Sequence, residues 1–344
     1  TSIDLSLLDW SLESPNHNAQ IPEINFNHPA IISFTSGSTG ESKPNLKTWQ
    51  TLVQSTAINA KYMLPNNEQI FHQLATVPGQ HMWGLETSVL LPAFANACLV
   101  DARPMFPKDI ALLIQRLPKP VSVISTPLNL RALSMGFKGH ESIEWSNTLC
   151  ATAPLNKELA HAIERQFNTE VREVYGCSEV GSMAVRRTAI SDVWQQFEGL
   201  DFSISDKQTQ VNSAYLPAPV VLEDVLESVT LGCFKLAGRL SDQIKIAGKR
   251  GSLHEANTVL NSFQDVLDGV VIFPEQERLV PRLVAIVVLK KGANKNQLRE
   301  HFRRHLDAAF IPRPIYVVDS LLREENGKLP KDTVLKLYKT LTTK

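Results

Sequence analysis

Residues Ser33 to Pro44, SFTSGSTGESKP, bring hydroxyl side chains and two glycines, Gly37 and Gly40, together directly after the apolar run Ala30-Ile31-Ile32. Glycine lets a backbone approach a ligand closely, and successive N–H groups with hydroxyls can surround an anion, so the stretch suits a phosphate. A plain polar turn is the alternative reading. The common nucleotide loop ending in Gly-Lys-Ser/Thr is disfavoured, because Lys43 follows Ser42 rather than a glycine.

Four other stretches carry groups able to do chemistry. HMWG (81–84) offers an imidazole beside an indole, and YGCSE (175–179) offers a phenol, a thiol, a hydroxyl and a carboxylate. LED, ending at Asp224, precedes GRLSDQIKIAGKR (238–250), and NGKLPK (326–331) sets Lys328 after Gly327. A site that gathers anions, as around phosphates, needs N–H groups, hydroxyls, a divalent metal and a cation. Each has a candidate here.

Taken in order, these five stretches resemble the adenylate-forming superfamily that includes acyl-CoA synthetases, luciferases and peptide-synthetase adenylation domains, over nearly the whole chain. A narrower resemblance, carried by VPGQHMWGLETSVLLP, ATAPLNKELA, EVYGCSEVGSMAVRR, IKIAGKRGSL and AAFIPRPIYVVDSLLREENGKLPK, is to the AMP-ligases of bacterial aryl-polyene and xanthomonadin-type pigment clusters. It implies ATP and Mg²⁺ as cofactors and an aryl carboxylic acid, a hydroxybenzoate or hydroxycinnamate, as substrate. The thiol acceptor would be an acyl carrier protein or CoA, since both end in phosphopantetheine. A CoA ligase of the same superfamily is the nearest alternative, and a truncated binding or scaffold protein is the alternative of another kind.

The resemblance also assigns residues. Thr35, Ser36, Gly37, Ser38, Thr39 and Gly40 would cradle the β- and γ-phosphates, with charge from Lys43 or Lys47. Ala151, Thr152 and Ala153 of CATAP would border adenine, and Tyr175 would stack on it, core packing being the other outcome for that ring. Ser178 would lie near the α-phosphate. Glu179 would hold Mg²⁺, a hard oxygen ligand for a hard ion; otherwise it is a helix first-turn carboxylate. Asp224 and Arg239, separated as in the superfamily, would take the two ribose hydroxyls, though the usual Thr-Gly-Asp has become Leu222-Glu223-Asp224; a surface ion pair is the alternative for Arg239. His81 would orient the acid or gate its tunnel, unless it is simply packed. Lys328 would be the mobile catalytic lysine, and Ser241 would stand at the hinge, where Asp or Lys is usual. Superfamily members carry a much longer segment before the phosphate loop, so an early subdomain is expected to be missing.

The elements that must position these groups follow from hydropathy. Short apolar runs, AIISF, IFHQLA, ACLV, VSVIS, TLCAT and VREVY, alternate with helical patterns near 47–62, 80–94, 107–116, 127–135 and 156–167. This is α/β with a mostly parallel sheet, and the Ser/Gly-rich loop should follow the carboxyl end of one of its strands. Residues 183–238 read as short strands of a small β subdomain. After 240 an α+β unit begins, with helices near 252–262 and 295–308, strands GVVIF, RLVAIVVL and PIYVVD, and a helix after Pro330. The expected division is a truncated large adenylation domain, 1–240, and a mobile C-terminal domain, 241–344.

The net charge of zero hides an asymmetry: residues 1–240 hold 17 Lys/Arg against 23 Asp/Glu, and 241–344 hold 18 against 12, as two modules would. There is no basic run interleaved with aromatics, so nucleic acid is not an expected partner. The longest apolar runs are interrupted, as by Pro92 and Asn96, and are too short to span a bilayer. Cys98, Cys150, Cys177 and Cys233 are scattered without paired spacing, so a reducing compartment, the cytoplasm, is expected. His301 and His305 share a helix face at zinc-like spacing, but no third ligand accompanies them and solvation is the expected state.

Overall fold

The computed structural model describes residues 23–36, 42–64, 69–104, 106–137, 143–205, 208–239, 242–274, 282–324 and 329–342. Its largest feature follows from the apolar runs. Among the described residues one sheet has the spatial order Asp224–Thr230, Cys233–Arg239, Trp194–Gln196, Gly181–Arg186, Glu170–Cys177, Asn147–Cys150, Val121–Ser125, Phe71–Ala75, Ala97–Leu99. From Glu170–Cys177 to Ala97–Leu99 neighbours are parallel. On the other side of Glu170–Cys177 every pairing is antiparallel. Val121–Ser125 is buried at every position, as a run without alternation requires when helices cover both faces.

The α/β class is therefore present, with a difference in how the middle of the chain is used. Four strands of the 183–238 region extend the main sheet, and only Asp201–Ile204, Thr209–Asn212 and Val220–Leu222 form a separate three-stranded sheet. Alternation identifies a strand with one covered face but does not say which neighbour it will join.

A second difference concerns the Ser/Gly-rich stretch. Pro29–Ser36 does not enter the main sheet; it pairs antiparallel with Ser42–Thr48 in its own two-stranded sheet, with Phe34 opposite Pro44, Thr35 opposite Lys43 and Ser36 opposite Ser42. The described ends of the stretch are thus antiparallel partners, and the strand before it is not one of the parallel strands. Helix Trp49–Met63 starts later than its periodicity suggests because the Thr48 side chain caps it, accepting from the Thr51 N–H at 3.3 Å.

Helix Lys157–Phe167 shows the local logic of the layers. Leu159, Ala160, Ile163 and Phe167 make its buried stripe, and it stops at Asn168, which takes the left-handed conformation with φ 45°. Asn156 caps it, accepting from the Leu159 N–H at 2.7 Å, while its Nδ2 donates to the Asn261 carbonyl at 2.7 Å. Asn156→Ala should lower stability by about 1 kcal/mol through loss of the cap. Asn156→Asp, which keeps the acceptor and loses the amide donor, should recover most of that difference in thermal denaturation.

Beyond residue 242 a second core forms. Strands Val266–Ile272, Val284–Leu289 and Ile315–Val317 make one sheet, and Leu253–Ser262 and Lys295–His305 pack on it through Leu260, Leu298 and Phe302, all fully buried. His301 is not merely solvated: its Nε2 lies 2.9 Å from Ser262 Oγ and 3.1 Å from the Val259 carbonyl, and its ring lies 4.4 Å from that of His305 at an interplanar angle of 42°. Among the described residues no group of three or more His, Cys, Asp or Glu is arranged to hold a metal. None of the described helices is long and apolar enough to cross a membrane.

Candidate active site

In parallel sheets, ligand-binding groups collect beyond the carboxyl ends of strands. Four adjacent parallel strands end at Ala75, Ser125, Cys150 and Cys177. The residues just beyond them are Thr76, Thr126, the Ala151-Thr152-Ala153 segment and Ser178-Glu179, so five of the residues singled out by sequence, Ala151, Thr152, Ala153, Ser178 and Glu179, share one edge.

At the Ala75 end, Gly84 lets helix Met82–Leu85 approach the preceding turn; a Cβ there would lie 2.0 Å from the Pro78 carbonyl oxygen. His81 caps this helix, its Nδ1 accepting from the Trp83 N–H at 3.3 Å, and the ring is half-buried. The Trp83 indole N–H donates to the Ser125 carbonyl at 3.3 Å, tying the helix to the next strand end. Thr76, Ser125 and Asn129 form a small polar net behind it, with Thr76 Oγ1 3.0 Å from both Ser125 Oγ and Asn129 Nδ2.

The segment after Cys150 is held from two sides. The Ala151 N–H donates to the Ser125 carbonyl at 3.4 Å, and the Leu155 N–H donates to the buried Glu173 carboxylate at 2.9 Å. Between these anchors Thr152 has φ 83°, a left-handed conformation that disfavours a β-branched residue, and its buried hydroxyl has no partner among the described residues.

Tyr175 is buried, its ring 5.7 Å from that of Trp194 and 6.0 Å from that of Phe234, and its hydroxyl donates to Asp224 Oδ2 at 2.8 Å. Arg239 Nε donates to Asp224 Oδ1 at 3.1 Å, and the two residues are cross-strand partners in the hairpin of Asp224–Thr230 and Cys233–Arg239. Burial and the Asp224 carboxylate hold the Tyr175 phenol far above its ordinary range, so it stays a donor. The Arg239 side chain is 55% exposed, and its Nη1 also lies 3.9 Å from Glu223 Oε2. Asp242, the next described residue, is raised by burial, against the pull of Arg239, His254 and Lys331.

Ser178 and Glu179 lie in the turn after Cys177, not in a helix, and Glu179 is exposed. Burial, with Glu179 next in effect, pushes the Cys177 thiol up to about 12, which keeps it uncharged. One exposed carboxylate fits Mg²⁺, which is ordinarily bound by one or two carboxylates together with substrate phosphates rather than by a protein cage.

Lys47, one of two lysines weighed for the phosphate charge, is 2% exposed and sits below this turn, its Nζ donating to the Glu179 carbonyl at 3.0 Å. Its burial was hidden from sequence reading, which placed residue 47 in a helix; as a strand, Leu46 faces out and Lys47 in. Glu86 was not singled out, and it is buried at 2% exposure. The backbones of Thr35, Ser36 and Lys43 belong to the hairpin strands, whereas Gly37, Ser38, Thr39, Gly40, Ser241 and Lys328 lie outside the described residues. The structure thus brings Tyr175, Asp224 and Arg239 into one hydrogen-bonded set and joins Trp83 and Ala151 through the Ser125 carbonyl, with His81 capping the helix of Trp83.

An α/β sheet with its polar groups at the carboxyl edge, followed by a separate α+β unit, defines the class of protein. The chain belongs to the AMP-binding enzyme family: the model for AMP-binding enzymes matches residues 3–227, and that for the AMP-binding enzyme C-terminal domain matches 255–328. It is 24% identical to 4-coumarate–CoA ligase-like 9 of Arabidopsis thaliana over 395 residues, covering 97% of this chain and 66% of that protein. It is 25% identical to 2-succinylbenzoate–CoA ligase of Staphylococcus epidermidis over 363 residues, 96% of this chain and 73% of the relative. The chain therefore spans about two thirds to three quarters of these two relatives. The fold is shared with ATP-bound MatB from Rhodopseudomonas palustris, at TM-score 0.79 and 18% identity over 92% of this chain and 70% of that one. It is also shared with the anthranilate CoA ligase AuaEII in complex with anthranoyl-AMP, at TM-score 0.78 and 16% identity over 94% and 69%.

Proposed function

We propose that this chain activates a carboxylic acid with ATP and passes the acyl group to a phosphopantetheine thiol. The observation that carries the reading is the Tyr175–Asp224–Arg239 set at the end of the sheet, where a fixed carboxylate beside an accessible guanidinium can take two vicinal ribose hydroxyls. Tyr175 and the 151–153 segment would flank the base. Residues Thr35 to Gly40, with Lys43, would receive the β- and γ-phosphates. Ser178 would lie near the α-phosphate, and Glu179 would hold Mg²⁺, which supplies neutralisation of phosphate charge. A substrate carboxylate oxygen bonds to the α-phosphorus as the α–β bridging bond breaks, releasing pyrophosphate. A thiol sulfur then bonds to the acyl carbon, AMP leaves with the carboxyl oxygen, and the thiol proton passes to water. Residues 1–240 would form the binding domain and 241–344 a mobile domain that brings Lys328 to the developing charge.

The acid is proposed to be a flat aryl acid, supported by Trp83 beside His81 at the same sheet edge, with an acyl carrier protein as acceptor. CoA as acceptor is favoured instead by the names of the CoA-ligase relatives. Pyrophosphate exchange with a panel of acids tests the activity whatever the acceptor. Exchange should be fastest with hydroxybenzoates or hydroxycinnamates. A marked preference for dodecanoate would overturn the aryl-acid assignment, and no exchange with any acid would favour a non-catalytic binding role.

A further inference from the structure

The turn that carries Glu179 is gripped from beneath at both ends by buried ionisable side chains outside the nucleotide set. At one end Lys47 Nζ donates to the Glu179 carbonyl at 3.0 Å. At the other, Glu86 accepts from the Ser182 N–H at 3.1 Å and from the Ser182 hydroxyl at 2.7 Å, while Asn59 Nδ2 donates to it at 3.2 Å. Glu86 is fixed by its own element. It opens the π-helical turn Glu86–Leu90 inside an otherwise α-helical stretch, a local widening that turns its carboxylate inward. Gly181 makes room for that carboxylate: its φ is +99°, and a Cβ there would stand 2.5 Å from Glu86 Oε1. Lys47 and Glu86 also feel each other's charge, in surroundings that disfavour ionisation of either.

A buried ammonium and a buried carboxylate are expensive to keep, and apolar residues of similar shape would usually stabilise the fold as well or better. What they do that apolar residues cannot is hold backbone groups in fixed places. We propose that Lys47 and Glu86 are a positioning pair that fixes the Glu179–Ser182 turn so that the Glu179 carboxylate is presented to a divalent metal. This rests on the reading of Glu179 as the Mg²⁺ ligand. The pair also joins three parts of the site, because Lys47 belongs to the phosphate hairpin and Glu86 to the helix that His81 begins.

The test is calorimetric titration of Mg²⁺ into the protein saturated with α,β-methylene-ATP, which cannot be cleaved between those phosphates. Residues that orient a metal ligand typically change metal affinity by about 10- to 100-fold when removed. Lys47→Met and Glu86→Gln should each raise the half-saturating Mg²⁺ concentration by that factor, while affinity for the nucleotide measured without metal stays within a few fold. In a Glu179→Gln background Lys47→Met should add little, because it acts through the residue already changed. Hydrogen exchange of the Ser182 amide should rise in Glu86→Gln without a matching rise in the flanking strands. A folded Lys47→Met with wild-type Mg²⁺ half-saturation would overturn the proposal; if Lys47→Met does not fold, wild-type half-saturation in Glu86→Gln does the same. Unaltered Mg²⁺ binding in Glu179→Gln would instead remove the underlying metal assignment.

Discussion

Lys328→Ala should slow acyl-adenylate formation by roughly 10²- to 10³-fold, about 2.7–4 kcal/mol, while leaving ATP affinity within a few fold. The magnitude is that of removing one preorganised donor from charge that develops only in the transition state. Lysine suits the role as a compact charge on a flexible stem. Lys331, three residues further on, opens helix Lys331–Thr342, and burial raises the Asp242 pKa against a slight opposing pull from the Lys331 charge. Single-turnover formation of adenylate, measured with ATP binding by calorimetry, separates the two effects. Thioester formation from chemically supplied acyl-adenylate should survive, since a mobile domain would carry the lysine away for that step. Adenylate formation at the wild-type rate would pass the role to Lys331 or Lys43. Equal loss of both half-reactions would point to a domain that does not rotate, and Ser241 would be the residue to change next.

Asp224→Ala should weaken ATP binding by roughly 1.5–3 kcal/mol, the worth of hydrogen bonds to a charged acceptor. The variant does more than remove that acceptor. It also leaves the buried Tyr175 hydroxyl without its partner, at a cost to stability of about 1–3 kcal/mol. Asp224→Asn separates the effects, because an amide oxygen can still accept from Tyr175 while the charge facing Arg239 is gone. Calorimetry and thermal denaturation of both variants should show affinity reduced in each and stability reduced mainly in Asp224→Ala. Unchanged ATP affinity in a folded Asp224→Ala would remove the ribose assignment.

The sequence made the layers legible because most helices and strands announce themselves locally. Lys157–Phe167 has its apolar stripe and cap, and Val121–Ser125 is an unbroken β-branched and small run. What was not legible depends on partners far along the chain. Nothing local says that Tyr175 will reach Asp224, 49 positions away, or that Lys47 will meet the Glu179 carbonyl, 132 positions away. Alternation in NLKTW is too short to compete with the helical period that follows, so residue 47 reads as the start of a helix and Lys47 as a candidate for the phosphate charge, not as a buried side chain in a strand. Glu86 carried one signal, a carboxylate in the middle of an apolar helical run. The π turn that makes it useful leaves no mark in a 3.6-residue period.

The left-handed Thr152 bears on how this protein could be re-engineered. Mutations that reshape a binding site usually draw down stability, because functional positions hold the strain that the rest of the fold sustains. At residue 152 the sign is reversed for one replacement. Glycine occupies φ 83° without penalty, and a β-branched residue held there costs on the order of 1–3 kcal/mol. Trimming this side chain would open space at the carboxyl edge of the sheet and relieve strain in the same step. Few positions let a library begin with a gain in robustness; this loop offers one from which further, destabilising changes at the sheet edge can be explored.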